Sequence, residues 1–192
     1  MKKTQTGIKY KVRNQLCLYL QIKGLTDALE TPGVCSNYRV DLCSKTYKCV
    51  QEFKSGNALF TFPNTPVKCA GAPQKIMYIT DYNLRQMGKR ENAQIHYHSS
   101  LAVLFGVKKY ADALWEVVKE KDINVNLRSN LIEVKPDSKE AVFQNLDEPD
   151  KTIVSKRKSC VTFESHLTIS QNFRLKNMKC FMLHLQCHLL TF

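Results

Sequence analysis

Residues 57–62, Asn57-Ala58-Leu59-Phe60-Thr61-Phe62, put apolar side chains on both faces of an extended segment, and no other feature restricts the fold as strongly. A strand with one face in water alternates apolar and polar residues. A strand apolar on both faces belongs inside a sheet covered above and below, which is the habit of parallel sheets. Pro63 and Pro66 stop the run. Pro73 then suits a first helical turn, and Ile76, Ile79, Leu84 and Met87 recur at spacings that make one apolar helix face ending near Gly88. The unit reads as strand, loop, helix, and Cys69 lies on its loop.

The pattern then repeats. Residues 93–98 alternate, with Ile95 and Tyr97 on one side and His96 and His98 on the other, which predicts a second strand. Histidines at i and i+2 share a face and are able to hold a metal; with no third ligand nearby, solvent-facing or hydrogen-bonded rings are expected instead. Residues 108–121 predict a helix whose buried stripe is Ala111, Leu114, Trp115 and Val118. Short strands are expected at 123–127, 131–134 and 140–145, the last two joined by a turn at Pro136-Asp137-Ser138. Residues 23–25 and 33–38 read as a connecting segment leading to a short helix at 45–53. No regular structure is assigned after Lys151.

Strand and helix alternating in this order predict an α/β, Rossmann-like dinucleotide-type domain with a mainly parallel sheet and a small antiparallel excursion. The glycine fingerprint of such domains is absent. Where G-x-G-x-x-G would join strand to helix, the chain has Val67-Lys68-Cys69-Ala70-Gly71-Ala72-Pro73. A thiol occupies the turn that elsewhere holds pyrophosphate. Unpaired N–H groups and the positive end of a helix dipole favour thiolate over thiol, and Lys68 acts in the same direction. The plainer reading makes Cys69 a small buried hydrophobe.

The formal net charge of +12 suggests nucleic acid until its distribution is examined. Residues 1–15 carry five bases and no acid, and residues 151–192 carry seven bases against Glu164 alone, so only +1 falls on residues 16–150. A phosphate-binding surface would sit within a folded face among aromatics rather than at both ends. No nucleic-acid partner is expected. Eight cysteines at irregular spacing, without a secretory signal, argue against a disulfide framework. Cys180, His184, Cys187 and His188 match no usual zinc spacing, so no metal is expected. The apolar run 180–192 is shorter than the roughly 20 residues a membrane span needs.

A resemblance adds to this reading. The run from Gly56 through Phe60-Thr61-Phe62-Pro63-Asn64-Thr65-Pro66-Val67-Lys68-Cys69-Ala70-Gly71-Ala72-Pro73-Gln74-Lys75 to Tyr78 resembles the mitochondrial sulfide:quinone oxidoreductases of animals. So do Phe105-Gly106-Val107-Lys108-Lys109-Tyr110-Ala111-Asp112-Ala113-Leu114 and Asn130-Leu131-Ile132-Glu133-Val134. The similarity covers residues 22–151, weakly before Glu52 and densely after it. It implies the flavoprotein disulfide reductase fold, with two dinucleotide-type domains, FAD held mainly by the first, and association with the mitochondrial inner membrane. It also implies oxidation of hydrogen sulfide. Hydrosulfide attacks a sulfur bridge between two cysteines, one becomes a persulfide that passes to a small thiol or sulfite, and the other sends electrons through FAD to ubiquinone. The position matching Cys69 is the persulfide carrier.

The chain departs from that pattern at both ends. Residues 1–21 hold no glycine-rich FAD loop, and residues 152–192 lack the G-D-C-type motif of the second redox cysteine; Cys160, in Lys158-Ser159-Cys160-Val161, stands outside it. The expected organisation is therefore a basic segment at 1–21, the second dinucleotide-type domain at 22–151, and a poorly ordered segment at 152–192. Tight FAD binding and complete turnover are not expected of this chain alone. The alternative is a catalytically inert fragment or isoform acting as a thiol-bearing interaction domain.

Overall fold

A computed structural model describes residues 22–37, 40–65, 67, 69–156 and 161–163. Its centre is the expected strand, β2 (Gly56–Phe62), paired in parallel along its whole length with β3 (Ala93–Ser99). Parallel partners need a crossover, and α3 (Ala72–Gln86) supplies it. A second crossover, α4 (Lys108–Glu120), leads to β4 (Ile123–Asn126), which pairs in parallel with β3. Upstream, β1 (Val34–Ser36) feeds α2 (Val40–Glu52), which returns to β2. Strand β8 (Val161–Phe163) lies between β1 and β2, so the five-stranded parallel sheet runs β1-β8-β2-β3-β4.

The two apolar faces of β2 are both used. Ala58, Phe60 and Phe62 share a core with Ile95, Tyr97, Met77, Leu84 and Val118, on the side covered by α2, α3 and α4. Leu59 points the other way. It packs with Leu25, Ala28 and Leu29 of α1 (Leu25–Glu30) and with Leu131, Val134, Ala141 and Phe143. The last four belong to a separate antiparallel sheet, β5 (Ser129–Lys135), β6 (Glu140–Asn145) and β7 (Thr152–Lys156), in that order. The layers are helices, parallel sheet, and small antiparallel sheet with α1. Truncating a core aromatic such as Phe60 to alanine in a setting like this costs about 3–5 kcal/mol.

Several expectations change. The connecting segment expected at 23–25 and 33–38 gives way to α1, which begins at Leu25, and to β1, because Leu25, Ala28, Leu29 and Val34 are all buried. Gly24 has φ +72°, and a Cβ there would run into the Val134 carbonyl oxygen. The close approach lets Lys23 exchange backbone hydrogen bonds with Ile132 and Val134, at 3.0 and 2.8 Å, so the chain enters as an added edge of β5. The short helix expected at 45–53 starts five residues earlier, at Val40. Beyond Lys151, β7 pairs with β6 through its backbone while most of its side chains face water, which leaves no apolar pattern to read.

The helix α3 also buries a different stripe from the expected one. Met77 and Leu84 are in the core, whereas Ile76, Ile79 and Met87 are partly exposed and Gln74, Thr80 and Asp81 are buried. In α4, Ala111 and Val118 are buried as expected, with Leu114 and Trp115 half-buried beside them.

Candidate functional site

Open α/β sheets bind ligands outside the carboxyl ends of their strands, where loops leave the sheet before the next helix begins. Cys69 lies there, on the loop from the end of β2 to α3, and it is exposed. It precedes the helix by three residues. Its carbonyl accepts the Ala72 N–H at 3.2 Å, closing a turn, and the next turn follows as the Gly71 carbonyl accepts the Lys75 N–H at 3.0 Å. Pro73 brings no N–H. The turn thus satisfies part of the helix start with its own carbonyls and holds the Cys69 side chain in solvent. The buried-hydrophobe reading does not hold for this residue. Lys68 lies outside the described residues, as do Cys160, Cys180, His184, Cys187 and His188.

A second loop, after β3, supports the first. Ser100 donates its backbone N–H to the Phe62 carbonyl at 3.1 Å and its hydroxyl to the Pro63 carbonyl at 2.8 Å, so the two strand ends are tied together. Buried Gln74 donates from Nε2 to the Leu104 carbonyl at 2.5 Å, pinning the second loop to the first turn of α3. Phe105 then reaches within contact of Gly71, with ring carbon Cε2 3.9 Å from where a Cβ would stand. From Phe105 a cleft of about 410 Å³ opens along Val103, Leu104, Ala111, Trp115 and Leu127. The cleft is mainly apolar, and exposed Val103 lines it together with Lys108 and Asp112. Sequence reasoning missed Gln74 and Ser100. A glutamine two residues into an amphipathic helix, on the face that packs inward, was the available signal.

The two histidines of β3 do share a face, the one turned toward β5 and β6. His98 is buried, its Nδ1 lies 2.9 Å from Ser129 Oγ, and its ring stacks on Phe143 with centroids 3.7 Å apart. Burial, helped by the charge of His96, pushes its pKa down to about 3, so it is neutral at physiological pH. His96 is lowered as well, by burial. Among the described residues no group of three or more His, Cys, Asp or Glu side chains could hold a metal.

The Cys69 turn offers a dinucleotide no glycine-lined cradle. Gly71 is its one glycine, and a Cβ there would make only ordinary contact with Phe105, so nothing forces the close backbone approach that a pyrophosphate cradle depends on. The described residues of this turn do not fit a bound dinucleotide. They fit a loop that presents a thiol.

The fold is an α/β arrangement that resembles the Rossmann-like domains of flavoprotein disulfide reductases. Solved structures with this arrangement include the sulfide:quinone oxidoreductase of Aquifex aeolicus, with a TM-score of 0.61 at 16% identity over 75% of this chain and 32% of that one. A chain of the Tetrahymena thermophila mitochondrial ATP synthase gives a TM-score of 0.62 at 19% identity, over 76% of this chain and 37% of that one. At such identities the likeness speaks for the fold alone. No family model matches the chain.

Sequence similarity is closer. The chain is 57% identical over 136 residues to the mitochondrial sulfide:quinone oxidoreductase of Mus musculus, covering 71% of this chain and 30% of the mouse protein. It is 46% identical over 125 residues to the Dictyostelium discoideum protein of the same name, covering 65% and 28%. Over part of its length, then, the chain is homologous to mitochondrial sulfide:quinone oxidoreductases, and it spans about three-tenths of these relatives. No helix among the described residues is long and apolar enough to cross a membrane.

Proposed function

We propose that residues 22–151 form the sulfur-handling module of a sulfide:quinone oxidoreductase, with Cys69 as the atom that takes up sulfur. The observation that supports this reading is an exposed thiol on the turn after a central parallel strand, where the fold otherwise binds its ligand, in a segment homologous to that enzyme. In this reading Cys69 starts in a disulfide with a second thiol, X. Hydrosulfide attacks the Cys69 sulfur; the Cys69–S–X bond breaks, a new S–S bond forms on Cys69, and the bonding electron pair leaves on the X thiolate. The persulfide then gives its outer sulfur to a small thiol or to sulfite, and the Cys69 thiolate is regenerated. With sulfite the product is thiosulfate.

The chain's own residues serve this by holding the turn still. The Gln74 and Ser100 hydrogen bonds fix both loops, and Phe105 lies against Gly71 as an apolar wall. FAD and ubiquinone, as electron carrier and acceptor, and a setting at the mitochondrial inner membrane belong to the same reading through homology. No described residue is assigned to hold FAD, and no step is routed through it.

The test uses the full chain, with Cys69 loaded as a mixed disulfide with a small aromatic thiol and then treated with sulfide. The expected result is retention of one extra sulfur atom on the Cys69 peptide, release of the aromatic thiol, and loss of that sulfur as thiosulfate when sulfite is added. Cys69→Ser should show none of these. Return of Cys69 to a plain thiol, with all sulfur left on the small molecule, would overturn the reading.

A further inference from the structure

Away from Cys69, a second sulfur site joins the sheet edge to its covering helix. Cys35, the middle residue of β1, is fully buried, and Cys49, in the last turn of α2, is half-buried. Their Sγ atoms are 3.3 Å apart, with the Cys35 thiol donating to Cys49. We propose that Cys35 and Cys49 are a dithiol modification site that closes to a disulfide by exchange with a low-molecular-weight disulfide such as oxidised glutathione.

The geometry favours this pair over its neighbours. A disulfide needs an S–S separation of about 2.05 Å, so the two sulfurs must approach by only about 1.3 Å, within reach of small side-chain rotations. Cys43, on the same helix, is exposed, and its thiol is directed to the Asn37 carbonyl at 3.4 Å. Helix α2 is already held near β1. Lys45 Nζ donates to the carbonyls of Leu29 and Thr31, at 2.5 and 2.8 Å, and Val50 and Phe53 are anchored in the core. The backbone on either side of the pair therefore keeps the sulfurs facing each other.

Exposure sets the order of events. The half-exposed Cys49 thiolate attacks the small disulfide, forms a mixed disulfide and expels one thiolate. Cys35 then attacks the Cys49 sulfur from inside, forms the Cys35–Cys49 bond and expels the second. Two protein thiols are oxidised, one disulfide is reduced to two thiols, and the reaction needs no other oxidant. Nothing in this sequence depends on the role of Cys69.

Trypsin cleaves after Arg39, Lys45 and Lys48, so Cys35, Cys43 and Cys49 fall on separate peptides. The full chain is equilibrated with reduced and oxidised glutathione, quenched by alkylation and digested without reduction. The expected product is the Cys35 peptide linked to the Cys49 peptide, lighter by two hydrogens than their sum, appearing before any other linkage. Cys35→Ser should instead stop at a glutathione adduct on Cys49. Closing a loop of this size should also raise Tm by roughly 5–10 °C relative to reduced protein, and Cys49→Ala should lose that difference. A dominant link through Cys43 or Cys69 would overturn the proposal, as would Cys49 remaining open to alkylation while exposed cysteines are glutathionylated. Because the peptide map is read on the unaltered chain, a misfolded variant does not protect the idea.

Discussion

The two ends of α3 are built on opposite principles. Its amino end follows the Cys69 turn, exposed, with backbone hydrogen bonds and the neutral side chains of Gln74 and Ser100 as its supports. Toward its carboxyl end Asp81 is fully buried and receives Arg85 at 3.0 Å, Arg90 at 2.7 Å and Lys121 at 3.4 Å. Arg90 goes further, donating to the Ala93, Lys121 and Asp122 carbonyls, so one guanidinium ties α3, the start of β3 and the end of α4 together. The chemistry proposed for Cys69 sits where the chain is least committed, and the buried charges sit at the far side. A reactive thiol placed inside the charged knot would be inaccessible; a knot placed at the rim would be solvated and weak.

The largest expected effect is at the rim, and it is on reactivity. Cys69→Ser should abolish sulfur uptake from sulfide while leaving the unfolding free energy from urea titration within about 0.5 kcal/mol of wild type, as for other exposed substitutions. Asp81→Asn should do the reverse. Removing one partner of a buried ion pair costs about 3–5 kcal/mol, because Arg90 loses its counter-charge in place. Urea unfolding should show that loss, and the rate of Cys69 alkylation should be unchanged wherever the variant is folded. Burial pushes the Asp81 pKa up, but hydrogen bonds from Arg85 and Arg90 and the charges of Arg85 and Lys121 outweigh it and hold the carboxyl below its ordinary value. Its contribution is therefore present above the ordinary carboxylate range and fades as pH falls through the lowered pKa.

His98 differs from Asp81 in being buried and titratable without an ion-pair partner among the described residues. Its Nε2 has no hydrogen-bond partner among the described groups. With a folded pKa of about 3 against an ordinary 6.5, the unfolded chain binds its proton first. Stability should fall as the medium is acidified from roughly pH 6.5, by about 1.4 kcal/mol per pH unit, until the folded pKa is reached. His98→Phe should flatten that slope in urea titrations between pH 7 and pH 5. An unchanged slope would assign the acid sensitivity to other groups.

Much of the parallel half was legible from residue order, because β2 is apolar on both faces, β3 and α4 carry a clear period, and prolines and glycines mark the stops, although the stripe that α3 buries includes Gln74, Thr80 and Asp81 and was not read. Cys69 stood out since it replaces a glycine-rich turn between two such elements. The knot was not legible. Asp81 occupies an inward position of an amphipathic helix, and its partners Arg90 and Lys121 come from later elements, so no local spacing reveals the burial. The Cys35–Cys49 contact was hidden similarly, by a separation of 14 positions in sequence and a change from strand to helix. Strand β7 failed for another cause: it owes its place to backbone pairing with β6, and its exposed side chains leave no face to recognise.

The smallest expected effect isolates what burial adds. Lys108 and Asp112, at the start of α4 on the rim of the cleft, approach to 2.7 Å, the same distance as Arg90 and Asp81, but their side chains are 86% and 62% exposed. Lysine preceding aspartate by four residues is the weaker orientation on a helix, and a cation in the first turn opposes the helix dipole. Lys108→Ala should therefore change stability by no more than about 0.5 kcal/mol, and the difference should shrink further in high salt. Parallel urea curves at low and high ionic strength read this directly. A loss comparable to that of Asp81→Asn would mean that ion-pair distance, rather than exclusion of water, sets the value of these contacts, and the distinction drawn between the two ends of α3 would fail.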